Sequence, residues 1–469
     1  MISASDINLK HILALISFVV IALFLGIMAT EFSAQTAISL VLGIAFFIVA
    51  FINTEWGLYL LVFSMLLSPE ISVGGASDGL AQRGGITVRL DDFLLLIIGF
   101  SWFAKSAIHK ELGLFLKTPL NKPIFFYLMI CVISTALGVM GGRVNAKVGF
   151  FFVLKYFEYF IVYFMMVNHL EKREQINRFL TFLFITCFLV AIYGIIQIPL
   201  GGRVTAPFEG EAGEPNTFGG YLLFVGAVAL GMFRGVEDAR GKLFIGILII
   251  TCIPPLLYTQ SRSTYLAMIP VAVYLALRST RPAIIIGLFL SFLIVSPFLL
   301  PKTVIDRIKF TVSQAERVDQ VRIGQIRLDT SLSARLTNWQ KVAISSIQHP
   351  VLGHGVTGFG FVDSQFLRVW IETGAIGLIM FSYLIISIFK QAIQASRQLV
   401  TPYYKGLVVG FTAGFIGLLF HAIGANTFII VRIMEPFWLV AAIVITLPRL
   451  EAEEYGASSE DQPLVQPIQ

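Results

Sequence analysis

Apolar runs of roughly twenty residues recur along this chain, separated by short polar stretches, and that is the length a helix needs to cross the hydrocarbon core of a bilayer. Runs bounded by charges, glycine and proline give about fourteen expected spans, at 12–30, 35–53, 56–68, 92–108, 123–141, 150–168, 177–198, 216–234, 241–258, 264–279, 282–300, 366–390, 403–424 and 427–447. The third is short, and Gly424-Ala425-Asn426 alone splits the last two, which predicts a tight helical hairpin. The first run follows Lys10 and His11, and a second span comes close behind it. It therefore reads as a signal anchor rather than a cleaved signal peptide.

The longest polar interruption, 301–364, carries patterns of its own. Val304, Ile305, Ile308 and Val312 fall at helical spacing, as do Leu336, Trp339, Val342, Ala343 and Ile347. Two amphipathic helices are expected there, lying on the membrane surface or folded over a cavity, with Ser331 or Ser333 capping the second. The glycine-dense stretch Gly353-His354-Gly355-Val356-Thr357-Gly358-Phe359-Gly360 then leads into the twelfth span. The expected organisation is spans 1–11 over 1–300, an outer loop over 301–364, spans 12–14 over 365–450, and a disordered tail over 451–469, acidic and then rich in Ser, Pro and Gln.

Composition narrows the class. Hydrophobic residues make up 57% of the 469 and charged residues 13%, with a mean hydropathy of +0.83. Soluble domains carry about 25% charge. An ordinary soluble enzyme, a disordered chain and a coiled coil are excluded, and an all-α polytopic membrane protein is predicted. The net charge of +6 reports loop residues that set orientation. With a cytoplasmic N-terminus, the even connections carry Lys105, Lys110, Lys117 and Lys122; Lys172, Arg173 and Arg178; Arg234, Arg240 and Lys242; Arg278 and Arg281; and Lys390, Arg397 and Lys405. The short odd connections carry chiefly Arg83, Arg89, Arg143, Lys147, Arg203 and Arg262. The bias puts both ends of the chain in the cytoplasm and the 301–364 loop outside. No basic stripe with interleaved aromatics points to nucleic acid. Cys131, Cys187 and Cys252 all lie in apolar runs and read as small buried hydrophobes.

Candidate chemistry gathers at the outer face. Arg143, Arg203, Arg262, Arg335 and Arg368 stand at span ends there, and arginine's planar fork of donors suits phosphate oxygens. Each can equally anchor its helix at the interface. Arg262 sits in Thr259-Gln260-Ser261-Arg262-Ser263-Thr264, a polar patch too short to be a mere surface loop. Arg335 is expected to open the second loop helix, where backbone amides favour anions. The glycines suit a re-entrant turn carrying backbone amides, including those of His354 and Gly355, to a substrate, or a flexible connector. Asp363 can accept a proton from a sugar hydroxyl or cap the next helix; Asn216 can contact a sugar or cap its own. Lys155 with Glu158 and Arg432 with Glu435 stand at i, i+3, and His421 lies within a span; such intramembrane charges read either as functional groups or, for the two sets, as structural ion pairs. No Ser-His-Asp set, HExxH or Walker sequence appears.

The order of these features resembles the O-antigen ligase / O-antigen polymerase superfamily of bacterial membrane glycosyltransferases. The residues that carry the resemblance are Gln260-Ser261-Arg262 at a span start, then Arg335…Trp339…His349-Pro350-Val351-Leu352-Gly353-His354-Gly355…Gly358…Phe361, then Phe366-Leu367…Glu372-Thr373-Gly374-Ala375-Ile376-Gly377. Asn216-Thr217-Phe218-Gly219-Gly220-Tyr221-Leu222 looks like the family's upstream Asn-containing motif. The resemblance implies a multi-helix fold of GT-C type and an active face on the periplasmic side of the inner membrane. It implies metal-independent, inverting transfer of a glycan from undecaprenyl diphosphate, with arginines on the diphosphate. Arg262 and Arg335 match best. Ligases of the family tend to place a His-Asn-like pair just before the span carrying Glu-x-Gly. Asp363-Ser364-Gln365-Phe366 is closer to the Asp-Asn-x-Tyr of exopolysaccharide polymerases.

The resulting expectation is a polysaccharide polymerase. Arg262, Arg335 and Asp363 are the expected catalytic residues; Arg143, Arg203, Asn216, Gln260, His354, Gly355 and Gln365 are expected to bind substrate. No cofactor and no metal is expected. The implied partners are an undecaprenyl-diphosphate-linked glycan, a second glycan acceptor and the lipid bilayer, with a chain-length regulator as a further candidate and no nucleic acid. The alternatives are an O-antigen ligase acting on lipid A–core, a flippase or other transporter of lipid-linked oligosaccharide, and a structural subunit of a synthesis complex.

Overall fold

The computed structural model describes residues 48–68, 70–72, 87–108, 117–208, 213–284, 286–287, 289–291, 322–323, 326–327 and 330–460. The chain forms two compact units, residues 1–60 with 93–112, and residues 61–92 with 113–469. In the first, Gly57 lets the backbone of α1 (Thr54–Leu67) approach Ala50 and Ile98, the latter on α2 (Leu90–Ile108). The second holds the long helices: α3 (Asn121–Met140), α4 (Ala146–His169), α5 (Arg173–Gln197), α6 (Pro215–Met232), α7 (Ala239–Tyr258), α8 (Arg262–Leu277), α9 (Thr330–Ser346), α10 (Gln365–Gln398), α11 (Pro402–His421) and α12 (Val431–Glu460). Two small antiparallel ribbons accompany them, Glu70–Ser72 with Thr87–Arg89 and Arg322–Ile323 with Ile326–Arg327.

The protein is an all-α polytopic membrane protein. Eight of its helices (α3 to α7 and α10 to α12) are long and apolar enough to cross a bilayer. The expected spans at 56–68, 92–108 and 264–279 coincide with shorter apolar helices, Thr54–Leu67, Asp92–Ser101 and Arg262–Leu277. Those at 12–30, 35–53 and 282–300 lie wholly or largely outside the described residues, as does the amphipathic pattern at 304–312. Fourteen spans therefore exceed the eight that length and composition support among the described residues. Only α9 represents the two amphipathic helices expected in the loop. It begins at Thr330, so Ser331 and Ser333 are in its first turns rather than at its cap, and Arg335 stands in its second turn rather than opening it.

The helical end of the chain also departs from expectation. α12 runs on to Glu460, beyond Glu451. The Glu451 carboxylate accepts the backbone N–H groups of Val400 (2.8 Å) and Thr401 (3.0 Å), and Arg173 stands 4.0 Å away. Thr401 is the N-cap of α11 and makes no side-chain cap bond of its own. A neighbouring helix thus satisfies amides that the start of α11 leaves without intrahelical partners.

Two features pack the second unit. Gly406, Gly410 and Gly414 recur every fourth residue on α11, one above another on the same face. A Cβ on Gly410 would lie 2.6 Å from the Val228 carbonyl oxygen, and one on Gly231 would lie 2.4 Å from the Gly410 backbone. α6 and α11 therefore meet backbone to backbone, the close approach that small residues allow between membrane helices. Around this seam lies an aromatic core. Phe224, Phe411, Phe415 and Phe437 stack with one another and continue through Phe428 and Phe381 to Tyr127. Tyr156, Tyr159, Phe160 and Trp438 extend it to α4 and α12.

The i, i+3 pairing of Lys155 with Glu158 is replaced by contacts between segments, and Arg432 binds backbone carbonyls of other segments. Arg432 donates to the carbonyls of Pro207 (2.8 Å), Ser68 (3.2 Å), Phe208 (3.4 Å) and Leu66 (3.5 Å). Glu158 faces Asp92, Glu435 and Arg89 from other segments rather than Lys155 on its own helix.

Candidate functional site

α10 has a break, and the glycine-dense loop is spliced into it. Gly374 adopts φ 68° and ψ −167°, which glycine alone tolerates readily. In an unbroken helix the N–H groups of Ala375 and Ile376 would bond to the carbonyls of Ile371 and Glu372. Here Ala375 donates to Pro350 (2.9 Å) and Ile376 to Val351 (3.3 Å), while Ile371 accepts from His354 (2.9 Å) and Glu372 from Gly355 (2.8 Å). The hydroxyl of Ser134 on α3 lies within bonding reach of both the Glu372 (2.7 Å) and the Leu352 carbonyls. Val356 donates its N–H to Thr135 (3.2 Å), and Thr357 donates to the Glu372 carboxylate (3.0 Å). The loop amides expected to face a substrate, those of His354 and Gly355 included, are thus already bonded to the protein. A buried glycine loop needs such partners, because backbone groups out of reach of water must be paired within the protein.

Around the splice, Arg368 and Glu372 form an i,i+4 pair at 3.1 Å, and the guanidinium lies over Phe152. His354 is buried, with Nδ1 3.2 Å from the Ile371 carbonyl and its ring edge-on to His349. Burial pushes its imidazole below the usual histidine range; the Ile371 carbonyl opposes this, and nearby His349 and Arg143 add to it. Arg143 folds back over Gly141 in the turn between α3 and α4.

A second cluster lies at the start of α10. Arg335 on α9 places its Nε 3.5 Å from an Asp363 carboxylate oxygen, and the two side chains are 23% and 28% exposed, so a ligand can reach both. The helix cap is Ser364, not Asp363. On the other side of Arg335 a Cβ on Gly424 would lie 3.1 Å from a guanidinium nitrogen and 2.7 Å from Ser263 Oγ. Ser263 follows Arg262, the first residue of α8, capped by Ser261 through the Thr264 N–H. The start of α8, with Arg262, therefore stands beside the Arg335–Asp363 pair.

The turn before α8 is buried at Thr259, Gln260 and Ser261. Gln260 sits at φ 50°, a left-handed conformation uncommon for a residue with a Cβ. Arg203 donates its Nε to the Thr259 carbonyl (2.9 Å) and so lies along the same turn. Asn216 is the second residue of α6, one turn before Gly219, whose missing Cβ makes room for Thr264; the N-cap is Glu214. Gln365 is fully buried and donates its N–H to the Ala422 carbonyl (3.0 Å) while its Oε1 accepts from Phe428 (3.1 Å). The structure thus brings Arg335 and Asp363 together and places the start of α8, which Arg262 opens, beside Arg335, while Gln260 and Arg203 belong to the turn before α8. It sets Arg143, His354 and Gly355 at the splice, about 10 Å along α10 from Gln365 at 1.5 Å per residue.

A half-buried guanidinium paired with a carboxylate, beside a helix that an arginine opens, has the chemistry to hold an anionic group and to take up a proton. Among the described residues no three of His, Cys, Asp and Glu come together as a set that could hold a metal ion. Residues 244–382 match the family model for the O-antigen ligase. Over that stretch the protein is similar to the O-antigen ligase/polymerase superfamily. No curated protein matches it. The matched stretch runs from α7 into α10, and takes in Arg262, Arg335, Asp363 and the spliced loop. It leaves out Arg143, Arg203 and Asn216. Sequence reasoning did not single out Ser134, Thr135 or Asn338. Their residue types are ordinary, and only their spatial neighbours mark them.

Proposed function

We propose that this protein belongs to the O-antigen ligase/polymerase superfamily and is a polysaccharide polymerase of the bacterial inner membrane. It transfers a glycan from undecaprenyl diphosphate to a lipid-linked acceptor at the periplasmic face. The observation that carries the reading is the reachable Arg335–Asp363 pair beside Arg262 at the start of α8. In the reaction the acceptor hydroxyl attacks the anomeric carbon, and the bond from that carbon to the phosphate oxygen breaks. The electron pair leaves with the diphosphate, and the hydroxyl proton goes to Asp363. Arg335 and Arg262 stabilise the charge that grows on the diphosphate, which is where such a site gains most. While Arg335 is held by Asp363, neither group is free for its task. A diphosphate bears more charge than one carboxylate and draws the guanidinium to itself, so donor binding releases Asp363 for the acceptor.

The presence of Asp363-Ser364 before α10 supports a polymerase over a ligase. The matched family carries the ligase's name, and this favours the second reading, transfer to lipid A–core. Reconstitution with a purified undecaprenyl-diphosphate-linked repeat unit, read by gel ladder and mass spectrometry, separates them. A ladder without added lipid A–core supports the polymerase. Transfer only when lipid A–core is present supports the ligase, and flux of lipid-linked sugar without transfer refutes both. Arg262→Ala and Arg335→Ala are expected to abolish product while the protein stays in the membrane. Wild-type chain lengths in either variant would overturn the assignment.

A further inference from the structure

The coil that carries Asp363 is held by side-chain carboxamides on both of the carbonyls that precede it. Asn338 on α9 donates its Nδ2 to the Phe361 carbonyl (2.8 Å), and Asn426, in the turn after α11, donates its Nδ2 to the Val362 carbonyl (2.6 Å). No helix or strand includes 359–364, so these carbonyls have no ladder partner. On the far side Gln365 ties the chain to Ala422 and Phe428. Asn338 stands three residues from Arg335 on the same face of α9, so it also fixes that helix against the coil. Asn426 follows Gly424, whose lack of a Cβ leaves space for the Arg335 guanidinium. One side chain therefore locks the helix of Arg335 to the coil of Asp363, and the other locks that coil to the turn beneath both. Val342, Val362 and Ile371, with Phe359 and Leu367 against them, pack the same joint.

We infer that Asn338 and Asn426 are positioning residues for the Arg335–Asp363 pair. They set where the carboxylate stands relative to the guanidinium, and they act on transfer through Asp363 without touching substrate. The inference rests on the reading of that pair as the transfer site. The donor is the essential feature: aspartate keeps the shape of asparagine, loses the N–H and turns an oxygen toward a carbonyl oxygen. Glutamine keeps the donor.

The test uses the full chain in proteoliposomes with a purified undecaprenyl-diphosphate-linked repeat unit as donor and acceptor. Asn338→Asp and Asn426→Asp are expected to lower kcat by about 10–100-fold, as misplacement of about 1 Å does. KM is expected to stay within about 2-fold, because the groups that bind substrate are intact. Asn338→Ala and Asn426→Ala provide the same test without a buried charge, and Asn426→Gln is expected to recover more rate than Asn426→Asp. Asn426→Ala is then combined with Asp363→Asn, or with Asp363→Glu where the former is too slow to measure. If Asn426 acts through Asp363, Asn426→Ala lowers the rate of the Asp363 variant by less than about 2-fold, as coupled residues do. A kcat within about 2-fold of wild type in all four single variants overturns the inference, and so does an undiminished loss in the Asp363 background. Arg335→Ala and Asp363→Asn run alongside. If they retain wild-type rates, the reading of the site itself falls; if they do not and the asparagine variants are neutral, only the positioning role falls.

Discussion

Gly374→Ala tests the splice between α10 and the glycine loop. The residue stands at φ 68° and ψ −167°, and a Cβ there would lie 2.3 Å from the Val351 carbonyl oxygen and 2.6 Å from the Leu352 nitrogen. The backbone conformation alone costs a non-glycine residue about 1–3 kcal/mol. Relief of the clash requires Val351 to move, and Val351 accepts the Ile376 N–H at 3.3 Å. Leaving one such buried group without its partner adds about 1–3 kcal/mol. Together the change is expected to cost about 4 kcal/mol, the middle of the summed ranges. At about 2 °C per kcal/mol for a large domain, the melting midpoint in detergent should fall by about 8 °C. Gly360→Ala is the control, since a Cβ there meets nothing within 4 Å and no positive φ constrains it. Thermal unfolding followed by intrinsic fluorescence at a fixed scan rate measures both. Equal midpoints for Gly374→Ala and Gly360→Ala would refute the splice and return 350–360 to a simple connector.

Three other perturbations follow from the packing and the loop. Gly410→Leu should separate α6 from α11, because even a Cβ meets the carbonyls of Val228 and Ala227 at 2.6 and 2.7 Å; loss of folded protein on size exclusion is the expected outcome, and wild-type yield and midpoint would contradict the seam. Glu451→Ala removes the acceptor for the Val400 and Thr401 amides and should cost about 1–3 kcal/mol, read as a lower midpoint than in a chain truncated after Glu460. His354 is held below its usual value of 6.5 in the folded protein, so the unfolded chain binds its proton more readily. Its contribution is therefore complete above pH 6.5 and is lost as pH falls below it. The wild-type midpoint should drop more than that of His354→Gln between pH 7 and pH 5, and parallel curves would show that His354 does not titrate in this window.

The membrane helices were legible because a run of about twenty apolar residues has few other uses. Charge placed the polar candidates, and Arg262, Arg335 and Asp363 were found by residue type and by motif. That Arg335 meets Asp363 was not legible, since the coil between α9 and α10 has no periodicity from which its path can be read. The start of α9 was misjudged because Ser331 and Ser333 look like caps, while the helix begins at Thr330. The tail was misjudged at Glu451 because an acidic, polar segment reads as solvated, and nothing local shows that its carboxylate will cap a neighbouring helix. The α6–α11 seam was written in the sequence as Gly406, Gly410 and Gly414, four residues apart, a spacing that marks close helix contact in apolar segments.

The break at Gly374 shows how more of the site can be read from physics without the structure. Hydropathy runs on through Glu372-Thr373-Gly374-Ala375, so no average over a window registers an interruption. Backbone hydrogen bonding does register it. Any glycine loop that sinks to membrane depth must find partners for its N–H and C=O groups within the protein, and a helix can offer them only where it gives up its own. A loop with three glycines over Gly353-His354-Gly355-Val356-Thr357-Gly358 therefore implies a broken helix nearby. Gly374 is the residue best able to break one, because glycine alone readily adopts the backbone conformation that the break requires. Its partners in the structure, two donors and two acceptors on each side, are the set that this exchange requires. The same exchange leaves the amides of His354 and Gly355 bonded within the protein, whereas the side chains of Arg335 and Asp363 stay partly exposed.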